Sequence, residues 1–179
     1  MIEVYLRAEL ESDRFGLQLR GLLARDGEEL ASADSAYRRR LLDEHRGYPS
    51  RTGMFGGFPL EVEWHRASLT RGELLEVLYI DYSWWVELSG GTRRPRDAAR
   101  RIRAGELTGM TAGATAQEHE PFLASTSELI AVTTPAQEKL VVIEGHARLT
   151  AYALFPDRVP DELELILGVA SELEGWWAF

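Results

Sequence analysis

The sequence contains no cysteine. Disulfides, thiolate nucleophiles and cysteine-ligated zinc are therefore excluded. Lysine is almost missing as well: Lys139 is the only one in 179 residues, so arginine carries nearly all the positive charge. No run approaches the roughly 18 uninterrupted apolar residues of a membrane-spanning helix, and no membrane association is expected. The start, Met1-Ile2-Glu3-Val4-Tyr5, lacks the basic residues and apolar core of a signal peptide, which predicts a cytoplasmic protein. Histidine is scarce, at four residues (His45, His65, His119 and His146), and no two have the close spacing of a helical metal pair. No protein-built metal site is expected.

Basic charge is also in deficit. The net charge of -9 repels a phosphate backbone, which disfavours nucleic acid as a partner. Six arginines do cluster between Arg93 and Arg103 against the single Asp97, and six acids lie between Asp157 and Glu174 against Arg158. With lysine nearly absent, the arginine cluster reads as a solvated helix face.

What is present is enough for one ordinary core, since 45% of residues are hydrophobic. Residues 1–48 read as mostly helical. Ser12-Asp13 can cap a helix carrying Leu17, Leu19, Leu22 and Leu23 that ends near Gly27. A second helix starts at Ser32 or Asp34 and runs to about Arg46, where Gly47-Tyr48-Pro49 stops it. The glycine-rich stretch Gly53 to Pro59 lacks the lysine of a phosphate loop and reads as a connector whose Phe55 and Phe58 plug the core.

Strands are expected at Leu60–Trp64, Leu78–Tyr82, Phe122–Ala124, Leu129–Thr133, Lys139–Ile143 and Leu163–Leu167. The Lys139–Ile143 run is β-branched and apolar, as a buried central strand would be. A short helix or turn is expected over Ser68–Val77, and an exposed loop over residues 106–120. Ser83–Leu88 fits a strand or a helix. Pro95 suits the first position of a helix bearing Ala98, Ala99 and Ile102, with Gly105 as its stop. Another helix is expected over Ala147–Phe155, ended by Pro156, and a short one near Leu173, Trp176 and Trp177. Interleaved helices and strands of this kind indicate an α/β or α+β fold.

The strand-to-helix turn at Glu144-Gly145-His146-Ala147-Arg148 is the candidate site. The first N–H groups of a helix lack partners and carry partial positive charge, so they bind anions readily. Gly145 permits the turn, Arg148 can clasp two phosphate oxygens, and His146 can donate a hydrogen bond or carry a proton. The same residues also fit a plain turn, a surface ion pair and a helix cap.

The stretch Leu140-Val141-Val142-Ile143-Glu144-Gly145-His146-Ala147-Arg148-Leu149-Thr150-Ala151, followed by Pro160-Asp161-Glu162-Leu163-Glu164-Leu165-Ile166-Leu167-Gly168, resembles the ParB/sulfiredoxin-like superfamily. The resemblance covers about residues 121–168, extends back to the helix at 95–104, and is absent over 1–58. It implies an α+β fold: a mixed sheet with flanking helices over 59–179, carrying an N-terminal helical extension at 1–58. It also implies that Gly145, His146, Ala147 and Arg148 hold the phosphates of a nucleoside triphosphate such as ATP or CTP, with or without Mg²⁺.

Sulfinic acid reduction is excluded, because His146 stands where those enzymes need cysteine. Glu144 and His146 are the candidate catalytic groups, with Glu128 and Asp81 as weaker candidates. Ser89-Gly90-Gly91-Thr92-Arg93 is a second candidate phosphate loop, through Thr92 and Arg93. Two functions follow. One is a nucleotide-binding protein that hydrolyses the nucleotide or transfers its phosphate. The other is a non-catalytic interaction protein, with a protein partner or a second copy of itself. The doublets Trp84-Trp85 and Trp176-Trp177 either fill the core or mark a partner or base-stacking surface.

Overall fold

The computed structural model describes residues 1–12, 15–124 and 128–179. Three helices come first: α1 (Ile2–Glu11), α2 (Gly16–Asp26) and α3 (Ser35–Arg46). Asp34 caps α3 by accepting from the Tyr37 N–H, and left-handed Gly47 ends it. The expected cap at Asp13 lies outside the described residues. Next come β1 (Glu63–Thr70), α4 (Arg71–Leu74), α5 (Ser83–Leu88), α6 (Pro95–Ala104) and α7 (Ala116–His119). The chain closes with β2 (Leu129–Thr133), β3 (Val141–Glu144), α8 (His146–Leu154) and β4 (Glu162–Val169).

The four strands form one mixed sheet in the order β1-β4-β2-β3. β4 pairs antiparallel with β1 and parallel with β2, while β3 pairs antiparallel with β2. The fold is thus α+β with a mixed sheet. Alternation along the strands explains its layering. Ile130, Val132, Val141, Ile143 and Ile166 face one core, shared with Leu6, Leu19, Leu41, Leu42, Phe55 and Phe58 from residues 1–58. Leu129, Ala131, Val142 and Leu165 face the other, against Ala98, Ala99 and Ile102 of α6 and Leu149 and Tyr152 of α8. Every residue of β2 is buried. That explains its unbroken apolar run.

Several expectations are corrected. Of Lys139–Ile143 only Val141, Val142 and Ile143 are buried, and β3 ends the strand order; β4 and β2 are the central strands. Leu78–Tyr82 makes a single bridge, Leu78 to Val141, because its next N–H groups bond to loops: Tyr79 to the Arg93 carbonyl and Asp81 to the Ala178 carbonyl. Phe122–Ala124 lies in a 3-10 turn. The first strand starts at Glu63 and runs on through Thr70, and only four residues of the expected 68–77 helix form one. Ser83–Leu88 is helical. The 106–120 segment holds α7, fixed by a Thr115/Glu118 capping box.

Residues 1–58 are tied into the sheet's core by an aromatic block. Phe55 and Phe58 are fully buried and meet edge-on at 5.2 Å; Trp176 packs on both and donates its indole N–H to the Met54 carbonyl at 2.9 Å. Because these residues share one core with the strands, urea unfolding is expected to be a single transition. Phe55→Ala should lower stability by about 3–5 kcal/mol, the usual cost of deleting a buried phenyl ring. Two separate transitions would show that the N-terminal helices fold apart from the sheet.

Candidate functional site

The turn between β3 and α8 is built by an irregularity and a glycine. The β2–β3 register shifts between Ile130 and Ala131, so that Ile130 lies opposite Glu144 while Ala131 lies opposite Val142. A bulge of this kind re-aims a side chain. Strict alternation would send Glu144 away from Ile143, toward α8. Instead its electrostatic neighbours include Glu9 of α1 and Arg46 of α3, on the face where Ile143 packs.

Gly145 then takes φ 102°, a left-handed conformation that L side chains rarely adopt. A Cβ there would also come within 2.1 Å of Leu129 Cδ2. Gly145 is the N-cap of α8 and no side chain caps this helix. The Gly145 N–H donates to the Glu144 carboxyl.

A polar cluster surrounds the turn. Glu9 is only 4% exposed. Arg46 Nη2 donates to both Glu9 oxygens at 2.6 Å, and His45 Nε2 meets Glu9 Oε2 at 3.0 Å. Arg46 also lies 3.7 Å from the centre of the Phe15 ring. Arg148 is buried, with Tyr152, Glu144 and Glu11 as its charged or titratable neighbours. The charges of two guanidiniums, Arg46 and Arg148, thus both act on the Glu144 carboxyl.

The environment moves both candidate catalytic groups. Burial of the carboxyl, reinforced by the Glu9 charge, pushes Glu144 up to about 8, against the opposing pull of Arg46, the Gly145 N–H and Arg148. Burial, helped by Arg46, pushes His146 down to about 3, so its ring is neutral near pH 7. The imidazole stacks on Trp85 at 4.8 Å with 13° between planes, and its buried Nε2 finds no hydrogen-bond partner among the described residues. Beneath it, Thr150 Oγ1 donates to the His146 carbonyl at 2.9 Å and, its proton used, accepts from the Tyr79 hydroxyl at 2.7 Å.

Glu144, Gly145, His146, Ala147 and Arg148 are therefore together at one turn, with His146 and Ala147 half-buried. Thr92 and Arg93 serve another purpose. Arg93 donates from Nε to the Tyr79 carbonyl at 2.8 Å and from Nη1 and Nη2 to the Phe179 and Ala178 carbonyls at 2.6 and 3.2 Å. Thr92 bonds within its own loop, to the Ser89 carbonyl and the Arg94 N–H. Glu128 pairs with Arg66, and Asp81 is exposed. Among the described residues no three His, Asp or Glu side chains gather as a metal site.

Sequence reasoning missed Glu9, His45 and Arg46. The signal was available: Glu9 stands four residues after buried Tyr5, and His45 and Arg46 stand four after buried Leu41 and Leu42. That spacing puts all three on core-facing helix stripes.

The opposed shifts give a pH test of the geometry. Glu144 is raised in the fold, so the native state holds its proton between about 4.5 and 8 and stability falls as pH rises through that window. His146 is depressed, so stability falls as pH drops from 6.5 toward about 3. The two oppose each other between 4.5 and 6.5. From pH 6.5 to 8 a decline should remain, and Glu144→Gln should remove it; an unchanged slope in that variant would contradict the burial of this carboxyl. Gly145→Ala should cost more than Gly91→Ala. Both glycines have φ above 90°, but a Cβ at Gly91 meets nothing, so the difference isolates the Leu129 overlap. No family model, curated protein or solved structure matches this chain.

Proposed function

We propose that this chain is a nucleotide-binding protein of the ParB/sulfiredoxin-like kind, taking the phosphates of a nucleoside triphosphate at the start of α8. One observation carries the reading. A nine-residue helix begins at a left-handed glycine with no side-chain cap, while two guanidinium charges act on the carboxyl beside that glycine. The N–H groups of a helix start, with guanidinium charge nearby, are what a phosphate requires. Arg148 and Arg46 supply charge, and the N–H groups of His146, Ala147 and Arg148 supply direction.

Glu144 adds a condition. Raised to about 8, it is mostly protonated at pH 7 and can donate a hydrogen bond to a phosphate oxygen instead of repelling it. The same carboxyl is placed to give or take a proton in hydrolysis or phosphate transfer. His146, held neutral, positions a ligand through an uncharged ring and does not act as an acid. Any Mg²⁺ would arrive on the phosphates.

A second reading rests on a different observation. Glu9 already places a carboxylate on Arg46, so an internal anion satisfies part of the positive charge. On that reading the turn is a structural joint and the protein is a non-catalytic interaction module.

Thermal shift and calorimetry with ATP and CTP separate the two. Nucleotide binding predicts a saturable rise in melting temperature, worth about 2.7 kcal/mol at a hundredfold excess over Kd. Affinity should fall about tenfold per pH unit above 8 as Glu144 ionises, and that fall should vanish in Glu144→Gln. Arg148→Lys should weaken binding at least tenfold while the far-ultraviolet circular dichroism stays native. No response at millimolar nucleotide would overturn the proposal and leave the interaction module.

A further inference from the structure

The two edges of the sheet are treated differently. At the β3 edge the backbone is covered: Leu78 bridges Val141, its N–H donating to the Leu140 carbonyl at 2.8 Å and its carbonyl accepting from the Val142 N–H at 2.8 Å. At the other edge β1 presents eight residues with nothing beyond them in the strand order. Among the described residues, no backbone hydrogen bond leaves Glu63–Thr70 for any loop or helix on that side. Most of β1 is exposed, with only Leu69 buried.

Open edges invite pairing, and proteins usually blunt them with charged side chains (lysine above all), proline, a bulge or a very short strand. Of these β1 has only the charges of Glu63 and Arg66. It contains neither lysine nor proline, and its register with β4 runs unbroken from Glu63↔Val169 to Thr70↔Glu162. An eight-residue edge is longer than an average strand.

The charge pattern points to one occupant. In an antiparallel pair, residues opposite each other share a face of the sheet. For two copies of β1 related by a two-fold axis, the opposed residue numbers must therefore sum to an even number. Two such registers pair seven residues of the strand. One is centred on Arg66 and sets Arg66 directly against Arg66, two like charges at the closest point of the interface. The other is centred on Ala67. It sets Arg66 against Ser68, His65 against Leu69 and Trp64 against Thr70, and brings Glu63 toward Arg71. Like charges directly opposite are destabilising, whereas opposite charges and aromatic–β-branched pairs are favourable. The Ala67 register has no like-charge opposition.

We propose that β1 is a dimerisation edge, pairing antiparallel with β1 of a second copy of this chain about Ala67 to make one continuous eight-stranded sheet. The interface is isologous, as a two-fold axis requires. It leaves the start of α8 untouched in both copies, so it stands or falls independently of nucleotide binding.

The absence of native cysteine allows a direct test. Opposed residues in such a pair have Cβ atoms about 4.5–5.5 Å apart, so Ala67→Cys brings two thiols to within reach of oxidative cross-linking. In His65→Cys the two thiols would be four residues out of register, roughly 14 Å apart at about 3.4 Å per residue, and should not cross-link. The expected result is a wild-type particle of twice the 20.2 kDa chain mass by light scattering, with cross-linking at least tenfold greater for Ala67→Cys than for His65→Cys. A wild-type monomer at high micromolar concentration would overturn the proposal and leave β1 open to a partner of different sequence. A dimer that cross-links equally through both positions, or through neither, would also overturn it.

Discussion

A carboxylate cannot be buried cheaply, and Glu9 is buried where the N-terminal helices meet the sheet. Its charge is held by Arg46, whose Nη2 reaches both oxygens, and by His45 beside it. Removing Arg46 would strand that charge in a region of low polarity. The pairing therefore fixes α1 against α3 and places both over the β3–α8 turn. The properties of that turn follow. The Glu9 charge helps raise Glu144, Arg46 helps depress His146, and the same guanidinium offsets part of the rise at Glu144. One ion pair thus shapes the chemistry of a site supplied by other elements.

The aromatic block makes the arrangement rigid. Phe55 and Phe58 join Trp176 from a distant part of the chain, and Arg93 fastens the carbonyls of Ala178 and Phe179 to the Tyr79 backbone. Tyr79 in turn supports α8 through Thr150. Trp85 stacks on His146 and holds its ring plane. Packing of this kind preorganises a turn so that little ordering cost remains when a ligand arrives.

Much of the architecture was legible because local signals were strong. Pro95 and Gly105 bound α6, Asp34 and Gly47 bound α3, and the uninterrupted apolar run at Leu129–Thr133 marks a strand buried on both faces. Errors arose where long-range bonding decided the outcome. Leu78–Tyr82 has the composition of a strand, yet its N–H groups found Arg93 and Ala178 carbonyls first. The order of strands depends on pairings between residues far apart in sequence, so β3 could not be recognised as an edge. At the site, Gly145 and Arg148 were visible as a motif. The direction of Glu144 was not, because a bulge overrides alternation, and the contribution of Glu9 and Arg46 was hidden by the distance of helices α1 and α3 in the chain.

On the proposed function, the backbone at the start of α8 receives a phosphate. Amide chemical shifts, followed by two-dimensional NMR as ATP is titrated into the wild-type protein at pH 7, test it most directly. The His146, Ala147 and Arg148 N–H signals should move furthest and saturate together, because these groups lie where the phosphate would bind. Saturable shifts centred elsewhere with these three unmoved, or no shifts at all, would contradict it.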